Sequence, residues 1–424
     1  MTNLNPRGFG DVLRLLRSNA AVCILLHGVG LLLRLVFLLA LLRYTNSTMM
    51  GQYALAAAIE VVVVYVSGLE FHTFTARRYA RTGTLQRLRL LIRCHQRLLA
   101  FTVPLAVLVT LCATEILDFQ VGQWNLIPLL IIVATGVVTQ EIGRYMMLTQ
   151  RPVASIFLGF IRNSAWQPLA IFWLSSDPSA LQMMFGLWAA SASFSLLWGL
   201  WILRDFLTVR ARPRTAYILA GIHKARGYYL IAVSSILQSN LERFILQLVL
   251  GLSAVGTFSF YQTLANTIPA LVQSAVTNIA TPNLLEQFGR QRSGRFEYLR
   301  QILLRTRVVV FVLSLVILGV ASPLISFLNR PDYIATLWIL PVLLVGQAFL
   351  ATTQLVHLAI YASHHDRPLI VLTGASLTLS VVVNTLLINA WGLFGAVVTP
   401  VIIGVVIAVG RLTIFRRLMR RGQL

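Results

Sequence analysis

The sequence predicts an all-α polytopic membrane protein of about 12 transmembrane helices, arranged as two six-helix lobes with both termini cytoplasmic. Three observations carry that prediction. The chain has 424 residues, of which 57% are hydrophobic and 11% charged, whereas a soluble domain carries about 25% charged residues. That shortfall excludes a water-soluble enzyme, a disulfide scaffold and a disordered chain. Apolar runs of about 20 residues, the length that crosses a hydrocarbon core, recur along the whole sequence. The basic residues between those runs fall almost entirely on alternate connections, as the positive-inside rule requires.

The first six runs lie near residues 20–42, 52–71, 98–116, 125–147, 153–174 and 181–203, and the second six near 228–252, 254–280, 307–328, 334–360, 368–389 and 393–413. A basic amphipathic lead-in from Phe9 to Arg17 reads as an interfacial helix ahead of a retained first span. The run that follows is too long for a cleavable signal and has no small-x-small exit site. The expected organisation is an N-terminal lobe over residues 1–205, a basic cytoplasmic linker over 206–226 and a C-terminal lobe over 227–424. With Arg7, Arg14 and Arg17 placed inside, the inside connections hold Arg77 to Arg97, Arg151, Arg204 to Arg226, Arg290 to Arg307, Arg367 and the tail Arg416 to Arg421. The outside connections hold Arg43 and Arg330 with Glu115, Asp118, Asp177 and Asp332.

The formal charge of +22, from 35 basic and 13 acidic residues, therefore reads as a topology signal in contact with anionic lipid, not as a nucleic-acid surface. Cys23, Cys94 and Cys112 have no metal-ligand spacing and read as packing residues. No connection exceeds about 25 residues, which excludes a nucleotide-binding cassette and the long outer loop of a membrane polymerase or ligase. No phosphate-binding glycine motif stands in a suitable context.

Two segments half a chain apart look alike. Thr48-Met49-Met50-Gly51-Gln52-Tyr53 and Ser253-Ala254-Val255-Gly256-Thr257-Phe258 both form a tight outer turn with Gly-x-aromatic entering the next span, and each span leads to a basic helix. The offset is 205 to 211 residues, which points to two lobes in parallel orientation. These residues also carry a family likeness. The first span ending in Leu41-Leu42-Arg43-Tyr44, the Met50-Gly51-Gln52-Tyr53 turn, and Leu241-Glu242-Arg243-Phe244 running through Gly251 and Gly256 to Tyr261 resemble the polysaccharide flippases of the MOP (multidrug/oligosaccharidyl-lipid/polysaccharide) superfamily. Pro282 before a basic amphipathic helix fits the same pattern. The resemblance implies a V-shaped, two-lobed cavity with alternating access. It also implies translocation of undecaprenyl-pyrophosphate-linked glycans across the bacterial cytoplasmic membrane. The peptidoglycan-precursor branch usually has two more spans, so O-antigen or exopolysaccharide units are the implied cargo.

An ionisable group at the bilayer centre costs about 2.5–3.5 kcal/mol on insertion scales, so each midspan charge needs a partner or an aqueous cavity. Five lie near span midpoints: Arg34, Glu60, Arg162, Glu242 and Arg243. Arg34, Arg162 and Arg243 are the candidate cationic cavity for a pyrophosphate, a role that suits the planar guanidinium fork. Snorkelling for Arg34 and an inter-helix salt bridge for Arg243 are the alternatives. Glu60, Glu242 and Glu141 are candidates for H⁺ or Na⁺ coupling. Equally, Glu60 can neutralise Arg34 or Arg162, and Glu141 can pair locally with Arg144.

Uncharged polar stripes mark Gln262 and Asn266 on the eighth span and Gln347 and Gln354 on the tenth. They are candidate glycan contacts, or inter-helix hydrogen bonds worth about 0.6 kcal/mol each. His364-His365-Asp366 lacks the spacing of a helical metal pair and reads as a solvated loop. No metal, cofactor or catalytic constellation is indicated. The leading expectation is thus a flippase, not an enzyme, whose partners are a lipid-linked oligosaccharide, membrane lipids and other membrane proteins of polysaccharide assembly. A cation-coupled multidrug exporter of the same superfamily is the first alternative, and a multi-pass glycan polymerase or ligase the second.

Overall fold

A computed structural model describes residues 19–119, 123–175, 177–207, 215–289, 294–363 and 365–422. The lead-in Phe9 to Arg17, together with Arg210, Arg212, Arg214, Arg290, Arg292 and His364, lies outside the described residues. Among the described residues every regular element is a helix. Nine are long and apolar enough to cross a membrane: α1 (Asn19–Tyr44), α2 (Ser47–Ser67), α4 (Leu85–Ile116), α5 (Gln123–Leu148), α8 (Pro178–Ile202), α14 (Arg295–Phe327), α16 (Ile339–Ala362), α17 (Asp366–Trp391) and α18 (Leu393–Arg420). The short helices α3 (Phe71–Thr82), α9 (Arg204–Leu207) and α15 (Pro331–Ala335) lie between them.

The three other runs of the sequence are helices that fail this test for identifiable reasons. The fifth is broken into α6 (Pro152–Asn163) and α7 (Gln167–Ile171). Pro168 has no N–H to give the carbonyl of Ser164, and its ring crowds that carbonyl, so α6 stops at Asn163. The eighth is broken by the same device into α11 (Leu252–Ala265) and α12 (Thr267–Val272), because Pro269 stands four residues after Ala265. A π-turn at Gln273–Thr277 and α13 (Asn278–Gly289) complete it. The seventh lies largely inside α10 (Thr215–Leu250), which begins well before it, and Gln238, Asn240, Glu242, Arg243 and Gln247 make that run too polar. The second part of the expected linker is therefore helix.

The basic segments run into spans without interruption. α4 and α14, 32 and 33 residues long, each rise about 1.5 Å per residue and so extend well past a 30 Å hydrocarbon core. The membrane-facing surface is apolar: on α14, Val308, Phe311, Leu315 and Val316 are all exposed at helical spacing, as lipid contact requires. The chain is a multi-pass membrane protein.

Two compact units divide the contacts. One comprises residues 1–45 and 59–229, the other 46–58 and 230–424. In the first unit a core of Leu88, Ile92, Ile142, Met146, Leu158 and Leu203 ties α4, α5, α6 and α8 together. In the second, Leu284, Phe288, Leu299, Leu355 and Ala359 join α13, α14 and α16. That unit also holds α18 against α16 by close backbone approach, since a Cβ on Gly346 would lie 3.1 Å from the carbonyl oxygen of Pro400.

The two look-alike segments are not turns but the first turns of helices α2 and α11, and they meet face to face in the second unit. A Cβ on Gly51 would sit 1.9 Å from the carbonyl oxygen of Leu252, and one on Gly256 would sit 2.0 Å from that of Ser47. The hydroxyls of Ser47 and Ser253 are 2.7 Å apart. Gly51 thus meets Leu252, the counterpart of Ser47, while Gly256 meets Ser47, a reciprocal contact of the kind a two-fold relation makes.

Candidate functional site

In the first unit the midspan charges separate into a closed pair and an open pocket. Arg162 stands in the last turn of α6, where the helix dipole favours a cation. The break after it leaves carbonyls to satisfy, and Gln167 Nε2 donates 3.0 Å to the carbonyl of Asn163. Arg162 is buried and its Nη2 donates to Glu60 Oε1 on α2, which is also buried. Gly136 on α5 makes room for the pair: a Cβ there would lie 2.8 Å from Arg162 Nη2 and 3.1 Å from Glu60 Oε1.

Asn163, the next residue, faces elsewhere. With His27, Gly30 and Arg34 of α1 and Phe160 and Ser164 it lines a pocket of ≈ 230 Å³. Arg34 is exposed, and no ion pair involves it among the described residues. α1 reaches α6 closely here, since Ser164 Oγ donates to the carbonyl of Gly30 at 3.4 Å. The result is a guanidinium, an imidazole and a carboxamide around one hollow, with no carboxylate among the lining residues.

A second ionic group sits where α2 turns into α3. Leu69 and Glu70 both have positive φ, 47° and 50°, a left-handed conformation that costs about 1–2 kcal/mol per non-glycine residue. Glu70 is held there by Arg144 Nη2 at 3.3 Å and by the Thr73 hydroxyl at 3.0 Å. Arg144 also donates to Glu141 Oε1 at 2.5 Å, as the local spacing predicts. Glu141 Oε2 is 3.8 Å from His95 Nδ1, which in turn bonds the Tyr145 hydroxyl. Glu70, His72 and His95 were not legible as site residues, because each stands outside the midspan window in which charge is conspicuous.

Burial holds the His72 imidazole far below its usual range, at about 3, with the Arg144 cation adding to the effect. Its folded pKa lies below its unfolded one, so the unfolded chain binds the extra proton between about pH 6.5 and 3. The stability His72 contributes is complete above that window and is lost as pH falls through it. The unfolding midpoint of the solubilised protein should drop on acidification from about pH 7 to 5, and His72→Gln should make the drop shallower; parallel curves would contradict the assignment.

In the second unit α10 presents two stripes. Arg243 Nη1 donates 2.6 Å to Asn240 Oδ1 and Nε donates 3.1 Å to Ser259 Oγ of α11. These partners are neutral and hold the guanidinium in place without cancelling its charge. Glu242 is buried; its Oε1 accepts from Asn384 Nδ2 of α17 at 3.4 Å, while its Oε2 has no hydrogen-bond partner among the described residues. Asn384 also reaches Ser380 Oγ at 3.2 Å, and Ser376 Oγ meets Gln238 Oε1 at 3.5 Å.

The uncharged candidates divide. Gln262 and Gln347 are buried, Gln354 is half-buried, and Asn266, at the end of α11, is exposed. Among the described residues no group of three or more His, Cys, Asp or Glu could hold a metal ion.

No family model and no curated protein matches the chain. Solved structures do. A lipid II flippase, MurJ, in an inward closed conformation superposes with a TM-score of 0.70 at 11% identity, covering 93% of this chain and 87% of its own. An inward-facing MATE-family multidrug resistance transporter gives 0.68 at 14% identity, with 91% and 94% covered. A MATE structure in a bent conformation gives 0.51 at 15% identity, with 97% and 99% covered. The chain therefore has the fold of MOP-superfamily transporters, the superfamily its sequence resembles.

Proposed function

We propose that the chain is a flippase of the bacterial cytoplasmic membrane, translocating a polyprenyl-pyrophosphate-linked oligosaccharide, an O-antigen or exopolysaccharide repeat unit, by alternating access. The observation that carries this reading is the Arg34 pocket: a cation with no carboxylate among the described residues that line it, on an apolar helix, lined also by His27 and Asn163. A guanidinium so placed matches an anionic headgroup, and repels the cations that a multidrug exporter often carries. Arg243, whose charge is steered by neutral partners, is assigned to the same cargo. Arg162 serves it indirectly, its bond to Glu60 fixing the end of α6 beside Asn163.

The MurJ likeness supports a lipid-linked cargo by analogy of fold. Cation-coupled exchange is the second reading, favoured by Glu242, which is buried with one carboxylate oxygen unpartnered among the described residues. On the flippase reading Glu242 is the site of H⁺ or Na⁺ coupling, Gln262, Asn266, Gln347 and Gln354 brush the glycan, and no cofactor or catalytic step is involved.

Complementation of a flippase-deficient strain tests the proposal. Wild type should restore surface glycan, and Arg34→Ala at matched expression should leave lipid-linked intermediate on the inner leaflet. Normal surface glycan with Arg34→Ala would remove the cationic pocket from the mechanism, and failure of wild type in several glycan systems would favour the exporter.

A further inference from the structure

The second unit carries a cation inside a span whose partners are all neutral. Arg411 stands on α18, well before that helix ends at Arg420, on the face it shares with Gly404, Ala408, Phe415 and Leu418. That face packs on α16. Gly346 and Gly404 bring the two backbones together, since a Cβ on Gly404 would lie 3.0 Å from the carbonyl oxygen of Gly346. Two turns further along their helices stand Thr353 and Arg411.

Arg411 Nη1 donates 3.3 Å to Thr353 Oγ1, and that hydroxyl donates 2.8 Å to the carbonyl of Phe349. A neutral group therefore orients the guanidinium, and most of its five N–H donors are left over. His357 lies one turn beyond Thr353 on the same face of α16. It interacts electrostatically with Arg411, is half-buried like it, and adds an imidazole N–H. Among the described residues no carboxylate pairs with Arg411.

Snorkelling does not relieve the charge. It would draw the guanidinium toward the basic end of α18, whereas the bond to Thr353 holds it against α16. Phe415 and Leu418, the next residues of the face toward that end, join Val356 and Ile360 in an apolar cluster. A charge left unbalanced on the packed face of a span is costly, so this place favours an anion.

We propose that Arg411 and His357 hold a small monovalent inorganic anion, a halide such as chloride, between α16 and α18. One guanidinium charge matches one anionic charge, and the free N–H groups of the fork and the imidazole are the donors a halide takes. A phospholipid phosphate carries the same charge, but its headgroup sits at the interface, beyond Phe415 and Leu418 from Arg411. The anion is a counter-ion that completes the packing of α18 on α16. The proposal does not rest on what the protein transports.

Unfolding of the full-length protein in phosphatidylcholine nanodiscs tests it, with gluconate replaced stepwise by chloride at constant ionic strength. The wild-type midpoint should rise with chloride. At a chloride concentration about one hundred times the dissociation constant, the unfolding equilibrium should shift about a hundredfold, as binding to the folded state alone requires. Arg411→Gln should remove the dependence, and Arg416→Gln/Arg420→Gln should keep it. Thr353→Val, which leaves the charge in place and loses its tether, should need several-fold more chloride for the same shift; it decides the matter if Arg411→Gln does not fold. A wild-type midpoint indifferent to chloride, an Arg411→Gln protein that responds like wild type, or an unchanged chloride requirement in Thr353→Val would overturn the site. Phosphatidylglycerol that replaces the chloride effect would overturn it too, by making a lipid the occupant.

Discussion

Glu60→Leu should lower the stability of the solubilised protein by about 3–5 kcal/mol, the cost of leaving a buried charge without its partner. Arg162 is buried, its Nη2 faces Glu60, and the missing side chain of Gly136 leaves the space that both groups fill. The double variant Glu60→Leu/Arg162→Leu should regain most of the loss, since the desolvation of both ions disappears with them. Chemical unfolding of the four proteins of the cycle measures the coupling. A Glu60→Leu protein within about 1 kcal/mol of wild type would show that the pair is hydrated and exchangeable, and would return Arg162 to the set of cargo ligands.

Gly51→Ala and Gly256→Ala should each cost about 3 kcal/mol or more, at the upper end of overpacking effects. The atoms a Cβ would strike are backbone carbonyl oxygens at 1.9 and 2.0 Å, which cannot rotate aside as a side chain can. Gly159→Ala is the matched control, because nothing lies within 4 Å of a Cβ there, and in a helix it should gain up to about 1 kcal/mol from propensity. Unfolding midpoints and monodispersity on size exclusion report both. Equal behaviour of the three variants would mean that α2 and α11 are not held at this separation.

Much of the architecture was legible because the bilayer imposes one length and one polarity on every crossing. What escaped were the breaks and the partners. The fifth and eighth runs read as continuous apolar stretches, although Pro168 and Pro269 mark the stops of α6 and α11 five and four residues upstream. The repeat in the outer turns was visible as sequence, yet that Gly51 and Gly256 meet each other needed coordinates. Glu60 could be assigned to Arg34 or Arg162 equally well, because 102 residues separate it from the partner it takes. Glu70 and Asn384 had no signal comparable to a midspan charge: one stands in a turn, the other in a run of apolar residues. The Arg34 pocket was half legible, through the midspan position of Arg34; the share taken by His27, Asn163 and Phe160 depends on how α6 lies against α1.

Proteoliposome flipping tests the central claim most directly. A polyprenyl diphosphate oligosaccharide with a fluorescent glycan would be placed in one leaflet and its exposure followed by an impermeant quencher. Transfer should depend on the protein, fall by at least about tenfold in Arg34→Ala, the loss expected of a charge-assisted contact, and be partly restored by Arg34→Lys. Transfer at the wild-type rate in Arg34→Ala would contradict it.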